Sequence, residues 1–417
     1  MLERSLDVPL TVQFETHAGS ASPGSDKGFG LVLDHSRRLK SLSIVGTMVV
    51  QRLIQDSVHP APLLHTLVIG TVRRDYIVPS IVRLAVPNDL FSGHTPRLQH
   101  LYIVGMDISP SSPLLRNLSS LSLCLHPNSP RWTANELLTV LSQMPLLKSL
   151  ELKNAVSITS GRLPSASLTV HLKYLECIRF AGRLISDSGY LLHRLTLPST
   201  AHIHLSALAE SSHDLLSPWP IIPPYAPTAA GGYPLIGLEL SFESGFELVG
   251  IVYDKEKKIY HRVFSINIDL VNRHITSHEV ASSLCNQIRI HDVRTIRLAV
   301  GDASDWAPAL RKFPMVRTIS VRGTTWYPVV QSLAASFLDE SGSVELLCPH
   351  LHTLTFKWRG WHRSLNPSFF EGLAIALDTR RARGTDISEL FIEGEKIPCD
   401  DLNALRTRKL PKEWCFV

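Results

Sequence analysis

An α/β fold of strand–helix units stacked side by side is what this sequence predicts. Three observations point to it: a short apolar frame that recurs along the chain, a proline held at one place ahead of that frame, and helix-period stretches with start signals between its copies. In "PLLKSLELKN", Pro145 to Asn154, the residues Leu147, Leu150 and Leu152 stand on an L-x-x-L-x-L frame directly after a proline. A bare frame of this kind arises by chance in a chain that is 44% hydrophobic, so the proline carries the weight. The template P-x-[LV]-x-x-[LI]-x-[LIVF] returns "PLLHTLVI" from Pro62, "PRLQHLYI" from Pro96, "PLLKSLEL" from Pro145, "PMVRTISV" from Pro314 and "PHLHTLTF" from Pro349, which makes it a repeat.

Without the proline the frame appears again as "LKSLSI" at Leu39, "IVRLAV" at Ile81, "LSSLSL" at Leu118, "LKYLEC" at Leu172, "LHRLTL" at Leu192, "LIGLEL" at Leu235, "VRTIRL" at Val293 and "ISELFI" at Ile387. Residues two apart on a strand share a face, so the last two apolar positions of each frame point into a core while the residues between them point out. Those outward residues are Ser, Thr, Glu, Arg and Lys more often than apolar. Helical stretches fill the gaps. "TANELLTVLSQMP" opens on Thr133 with Glu136 three residues on, a capping box, and stops at Pro145. "TSHEVASSLCNQI" repeats the device with Thr276 and Glu279. "NPSFFEGLAIALDTRRARG" has Asn366 as cap, Pro367 at the first helical position and a basic last turn before Gly384. Each unit has one apolar face that it cannot bury alone, so stacking is forced. The expected result is an irregular leucine-rich-repeat solenoid, a horseshoe with a parallel concave sheet and convex helices.

The leading residues are unevenly spaced, from 17 residues between Leu64 and Ile81 to 29 between Leu118 and Leu147, and the intervals widen after Leu192. "SPWPIIPPYAPTAAGGYP", Ser217 to Pro234, is a Pro/Gly-rich loop, and "LVGIVYDKEKKIYHRVFSINIDL" reads as two strands about a charged turn at Asp254 to Lys258. The expected organisation is an N-terminal capping segment over 1–38, a first block of repeats over 39–212, a Pro/Gly-rich loop and β-hairpin insertion over 213–270, and a second block with a C-terminal cap over 271–417.

Composition names no partner. Lys+Arg 42 against Asp+Glu 37 leaves a net charge of +5, without a run of like charges that would form a nucleic-acid-binding arm. Cys124, Cys177, Cys285, Cys348, Cys399 and Cys415 are scattered with no C-x-x-C, which fits reduced thiols in a cytoplasmic or nuclear protein. Glu3, Arg4 and Asp7 stand where a signal peptide needs an apolar run, and no stretch of about 18 uncharged apolar residues exists, so no membrane is expected as partner. G-x-G-x-x-G, Walker, G-x-S-x-G and H-E-x-x-H motifs are absent, so the chain is not expected to be an enzyme or to hold a cofactor. His202 and His204 share a strand face with no Cys or carboxylate beside them, a surface pair rather than a metal site. In "FKWRGWHR", Phe356 to Arg363, three aromatics interleave with three basic residues, a pattern able to clamp single-stranded nucleic acid or an acidic peptide; the favoured expectation is Phe356, with Trp358 as the second candidate, in the core and the rest a loop rim.

"LERSLDVPLTVQF", "PNDLFSGHTPRLQHLYIVG", "SSPLLRNLSSLSL", "ELLTVLSQMPLLKSLEL", "VHLKYLECIRFAG" and "LLHRLTLPSTAHIHL", in that order, resemble the fungal (basidiomycete) F-box proteins with degenerate leucine-rich repeats. The likeness runs from Leu2 to about Leu205 and continues more loosely through "DVRTIRLAVGDASDW" and "CPHLHTLTFKW". In that family an F-box ahead of a segment like "LERSLDVPL" docks the Skp adaptor of a cullin-type ubiquitin ligase, and the repeats hold substrate. The resemblance therefore implies a substrate-recognition scaffold. This chain starts after the F-box position, so Skp and cullin are expected as partners only where an upstream F-box exists. Two other classes stay open: a nucleic-acid-binding solenoid using the basic C-terminal repeats, and an enzyme with an unrecognised site near the insertion.

The outward positions of the frames supply the candidate ligand-binding residues: His100, Tyr102, Glu151, Lys153, Tyr174, Glu176, Arg194, Glu239, Arg297, Arg322 and Lys357. Glu151, Glu176 and Glu239 make the middle acidic, whereas Arg297, Arg322 and Lys357 are expected to form a basic strip on adjacent repeats. Tyr102 and Tyr174 are the expected aromatic anchors for an unknown protein substrate.

Overall fold

The computed structural model describes residues 8–15, 23–71, 84–126, 129–157, 168–184, 190–198, 200–209, 235–241, 246–254, 259–270, 290, 292–300, 305–323, 326–338, 344–358, 367–392 and 395–397. The fold is mixed α/β with large parallel sheets, and the chain divides into two compact units, 1–203 and 204–417.

In the first unit β1 (Leu10–Glu15), β2 (Leu39–Val45), β3 (Thr66–Gly70), β4 (His100–Val104), β5 (Ser120–Cys124), β6 (Ser149–Lys153) and β7 (Cys177–Leu184) pair in parallel, each with the next in the chain. The frame explains the ladder. In register, Leu42, Leu67, Leu101, Leu121, Leu150 and Ile178 form one inward row, and Ile44, Ile69, Ile103, Leu123, Leu152 and Phe180 form a second. None of these twelve is more than 4% exposed. Each such side chain is worth about 2 kcal/mol when taken fully out of water, so the two rows dominate the cohesion of the sheet.

The recurring proline has a backbone cause. The amide of the leading residue donates to the carbonyl three residues back in Leu64 to Ala61, Leu98 to Thr95, Leu147 to Met144, Val316 to Phe313 and Leu351 to Cys348, at 3.0–3.4 Å. Pro62, Pro96, Pro145, Pro314 and Pro349 each occupy the second position of that four-residue turn. A fixed φ suits this position, and the missing N–H is not needed there. The turn then delivers the chain onto the sheet.

Three expected teeth lie elsewhere. The frame at Ile81 contributes no strand between β3 and β4, which pair directly; the short strand Ala85–Val86 pairs instead with Asp107–Ile108 in a separate ladder. Residues 81–83 are outside those described. At Leu192, Leu195–Thr196 pairs with Val170–His171, again apart from the main sheet. At Leu172 the frame is three residues early. Leu172 and Leu175 bracket the turn, and Leu175, Ile178 and Phe180 are the residues in register with Leu147, Leu150 and Leu152.

Connections follow their length. Between Leu98 and Leu118 there is room for a 3₁₀ turn, Pro113–Leu115, and a two-residue strand, whereas the longer stretch from Leu118 to Leu147 holds a helix, Ala134–Ser142. That helix carries the expected capping box: Thr133 Oγ1 accepts from the Glu136 amide at 3.2 Å, and Glu136 Oε2 accepts from the Thr133 amide at 2.8 Å. Leu137, Leu138, Val140 and Leu141 form its buried side. The second expected capping box, at Thr276 and Glu279, lies outside the described residues.

In the second unit β8 (Leu235–Ser241), β9 (Phe246–Asp254) and β10 (Ile259–Leu270) form an antiparallel meander. The other edge of β8 pairs in parallel with β11 (Thr295–Val300), followed by β12 (Thr318–Gly323), β13 (Thr353–Trp358) and β14 (Glu389–Ile392), with the short β15 (Glu395–Ile397) antiparallel beyond. The inward rows are Ile296, Ile319, Leu354 and Leu390, then Leu298, Val321, Phe356 and Ile392, at most 1% exposed. Phe356 packs on Trp326 and Phe369, with ring centroids 5.2 and 5.0 Å away, as its core assignment requires. The helix Pro367–Ala382 ends at Gly384, whose φ is +68°. Its last turn holds Arg380, which is buried: Nη1 donates to the Leu347 carbonyl at 2.8 Å and Nη2 to the Cys348 carbonyl at 2.7 Å. No helix among the described residues is long and apolar enough to cross a membrane.

Candidate interaction surface

What the inward rows leave over is a second face, on which the side chains line up rung by rung. In the first unit one rung runs His100, Ser120, Ser149, Cys177, and the next runs Tyr102, Ser122, Glu151, Arg179. A third runs Val104, Cys124, Lys153, Ala181. Of the expected residues, His100, Tyr102, Glu151 and Lys153 are therefore brought onto one face. The rungs are tied across strands. The Tyr102 hydroxyl lies 3.2 Å from Ser120 Oγ, and Ser122 Oγ donates to Glu151 Oε2 at 3.0 Å. Ser120 and Ser122 are buried beneath these larger neighbours.

His100 is half-buried, with its ring 4.8 Å from that of His65, whose Nε2 is 3.0 Å from Gln99 Oε1. Burial, and secondarily the neighbouring His65, holds the His100 imidazole below its ordinary pKa. Burial likewise raises the Cys177 thiol, with Arg179 pulling it down and Glu151 pushing it up. Neither Cys124 nor Cys177 points inward; both are half-buried on the outward rungs.

Tyr174, Glu176 and Arg194 are not brought onto this face, because the frames that nominated them are the displaced ones. Tyr174 sits in the turn ahead of β7, 48% exposed, with the Lys173 ammonium 5.6 Å from its ring centroid. The Glu176 amide donates to the Lys148 carbonyl at 2.7 Å, which places it at the leading end of the sheet, where its carboxylate meets Lys148 Nζ at 3.4 Å. Arg194 lies beside the small ladder, with its guanidinium 5.5 Å from the Tyr190 ring centroid. Cys177 takes the place on the sheet that the frame at Leu172 assigns to Tyr174, and Arg179 takes that of Glu176. The signal for both was present as "LECIRF" from Leu175, three residues past the frame chosen.

In the second unit Glu239 holds the register position between Val249 and Arg297. Arg322 and Lys357 are direct cross-strand neighbours, and Arg297 stands one rung earlier, opposite Ser320. All three are exposed, so the expected basic strip is a cluster on one face. Of "FKWRGWHR", the residues after Trp358 lie outside those described. Compared with known proteins, the chain matches no family model and no curated sequence.

Proposed function

We propose that this chain is a non-enzymatic protein-binding scaffold, a leucine-rich-repeat solenoid whose outward sheet face recognises the substrate of an F-box type ubiquitin-ligase receptor. One observation carries the reading. Consecutive strands of the chain are consecutive strands of a parallel sheet, so outward residues far apart in sequence, such as Tyr102, Ser122, Glu151 and Arg179, stand side by side on one rung. A surface of this kind offers a few side chains per unit to a macromolecular ligand. The resemblance to F-box proteins with degenerate repeats supplies the substrate-receptor role. Tyr102, an aromatic side chain with its hydroxyl already anchored, is the best single hot spot on the first unit.

The test begins with proximity labelling in cells to identify a partner, followed by binding measurements with purified variants. Tyr102→Ala and Glu151→Lys should each weaken the complex at least tenfold, while Asn135→Ala on the helix Ala134–Ser142 leaves it unchanged. Loss of binding in the helix variant alone would move the site off the sheet face.

A further inference from the structure

The three central parallel strands of the second unit, with the residue ahead of each, read Arg294 to Val300, Arg317 to Gly323 and His352 to Lys357. They contain five cationic side chains, Arg294, Arg297, Arg317, Arg322 and Lys357, and no carboxylate. All five are exposed, and none makes an ion pair among the described residues. The first unit handles its charges differently, tying Lys148 to Glu176 and Glu151 to Ser122. Arg322 and Lys357 face each other across one rung, an arrangement that destabilises a sheet when nothing neutralises it. At the leading end, Arg317, Thr318, His350, His352 and Thr353 line a shallow recess. His352 is already engaged there, with Nδ1 3.3 Å from Thr353 Oγ1 and Nε2 2.6 Å from Ser388 Oγ, which leaves Arg317 and His350 to meet a ligand. The other outward positions before the Arg322–Lys357 rung are Thr295, Thr318, Ser320, Thr353 and Thr355, all hydroxyls, with Arg297 the one cation among them. On the strands that flank these three, Glu239 stands on β8 and Glu389 on β14, the latter accepting from Thr353 Oγ1 at 3.2 Å, and Asp292 precedes Arg294 in the chain.

We infer that this face takes an extended, carboxylate-rich segment of a partner protein, with one acidic side chain at the Arg317 recess and another at the Arg322–Lys357 pair. The inference deepens the reading of the outward faces as protein-binding surfaces and rests on it. Geometry sets the ligand's length: Thr318 in the recess and Arg322 share one face four residues apart on β12, about 13 Å, the reach of four or five extended residues. Cations distributed along that distance, at the Arg317 recess, at Arg297 and at the Arg322–Lys357 pair, match a series of singly charged carboxylates. A phosphate, with three acceptor oxygens on one atom, calls for donors converging on a point. Single-stranded nucleic acid calls for aromatic stacking platforms among the cations, and no outward position on these three strands is aromatic.

The experiment is fluorescence anisotropy of the full chain with a labelled peptide of alternating glutamate and serine. Comparison probes are a glutamine–serine peptide, a glutamine-rich peptide with one phosphoserine, and a single-stranded oligonucleotide. The glutamate peptide should bind, weaken steeply with added salt, and lose about tenfold or more in affinity when Arg322→Glu and Lys357→Glu are combined. The milder pair Arg322→Gln and Lys357→Gln should lose part of that, with an unchanged melting curve, and Asn135→Ala on the helix Ala134–Ser142 should have no effect. Equal binding of the glutamine peptide, tighter binding of the phosphopeptide or the oligonucleotide, or indifference to both double variants would overturn the assignment. If the identified protein partner is lost in Tyr102→Ala but the glutamate peptide does not bind, the scaffold reading stands and this inference falls. If the peptide binds as described but no outward variant touches the partner, the reverse holds.

Discussion

Cys348 opens the turn before β13 with a φ of 48°, in the left-handed region that a non-glycine residue rarely adopts. Its carbonyl takes a hydrogen bond from buried Arg380, and its thiol donates to the Leu310 carbonyl at 3.6 Å. Burial pushes this thiol up to about 12, against a smaller opposite pull from Arg380. Iodoacetamide at mildly alkaline pH should therefore leave Cys348 unmodified in the folded protein while Cys124, half-exposed, is alkylated, as mass spectrometry would show. Rapid labelling of Cys348 without unfolding would contradict its burial. His100 behaves in the opposite sense. Its imidazole is held below the ordinary value of 6.5, so below that pH the unfolded chain binds a proton that the folded chain resists. Stability should decline as pH falls from 6.5 toward the folded value and be indifferent to this group above 6.5. In denaturant titrations, His100→Gln should flatten that decline, and an unaltered pH profile would exclude His100 as its source.

Strand ends are where single residues decide an element. Gly105 follows β4 with φ +72°, and a Cβ built there meets Thr71 Oγ1, which itself bonds the Gly105 carbonyl at 3.4 Å. Gly105→Ala should cost about 1–2 kcal/mol from the left-handed backbone alone, and more from the contact with Thr71, measured by denaturant midpoint. Thr71→Ala removes that oxygen, so the part of the loss that the combined variant recovers belongs to the contact and the remainder to the backbone. The turn explains why most of the ladder could be read from sequence and why part could not. A proline at the second turn position marks the register two residues before the leading apolar residue, and each frame so marked is a strand of its unit's parallel sheet. The turn at Leu172 has Lys173 in that position. Its first and last residues are both buried leucines, so two overlapping L-x-x-L patterns compete with nothing to choose between them. Tyr174 and Glu176 fall off the sheet face for that reason, whereas His100 and Tyr102, two and four residues past Leu98 at the end of a proline-marked turn, stand on it. The pairs Ala85–Val86 and Leu195–Thr196 are two-residue strands, too short for alternation to distinguish them from a main-sheet frame.

Across the molecule, each parallel strand rests on its immediate neighbours, and the chain falls into two compact units with separate inward rows. Damage to one row should therefore fade with distance along the chain instead of melting everything at once. Leu150 is the sharpest probe: it is fully buried, in register between Leu121 and Ile178, and two residues from Leu152 on the same face. Leu150→Asp places an unpaired carboxylate among these leucines, a loss of several kcal/mol. Hydrogen exchange read by mass spectrometry should show the protection of β5, β6 and β7 falling most. Peptides from β1 and β2 should change less, and the amides of β11, β12 and β13 should retain nearly wild-type rates. A uniform loss of protection across both units would mean that the whole chain folds as one cooperative block, and unaltered protection in β6 would mean that the row through Leu150 does not hold the sheet together.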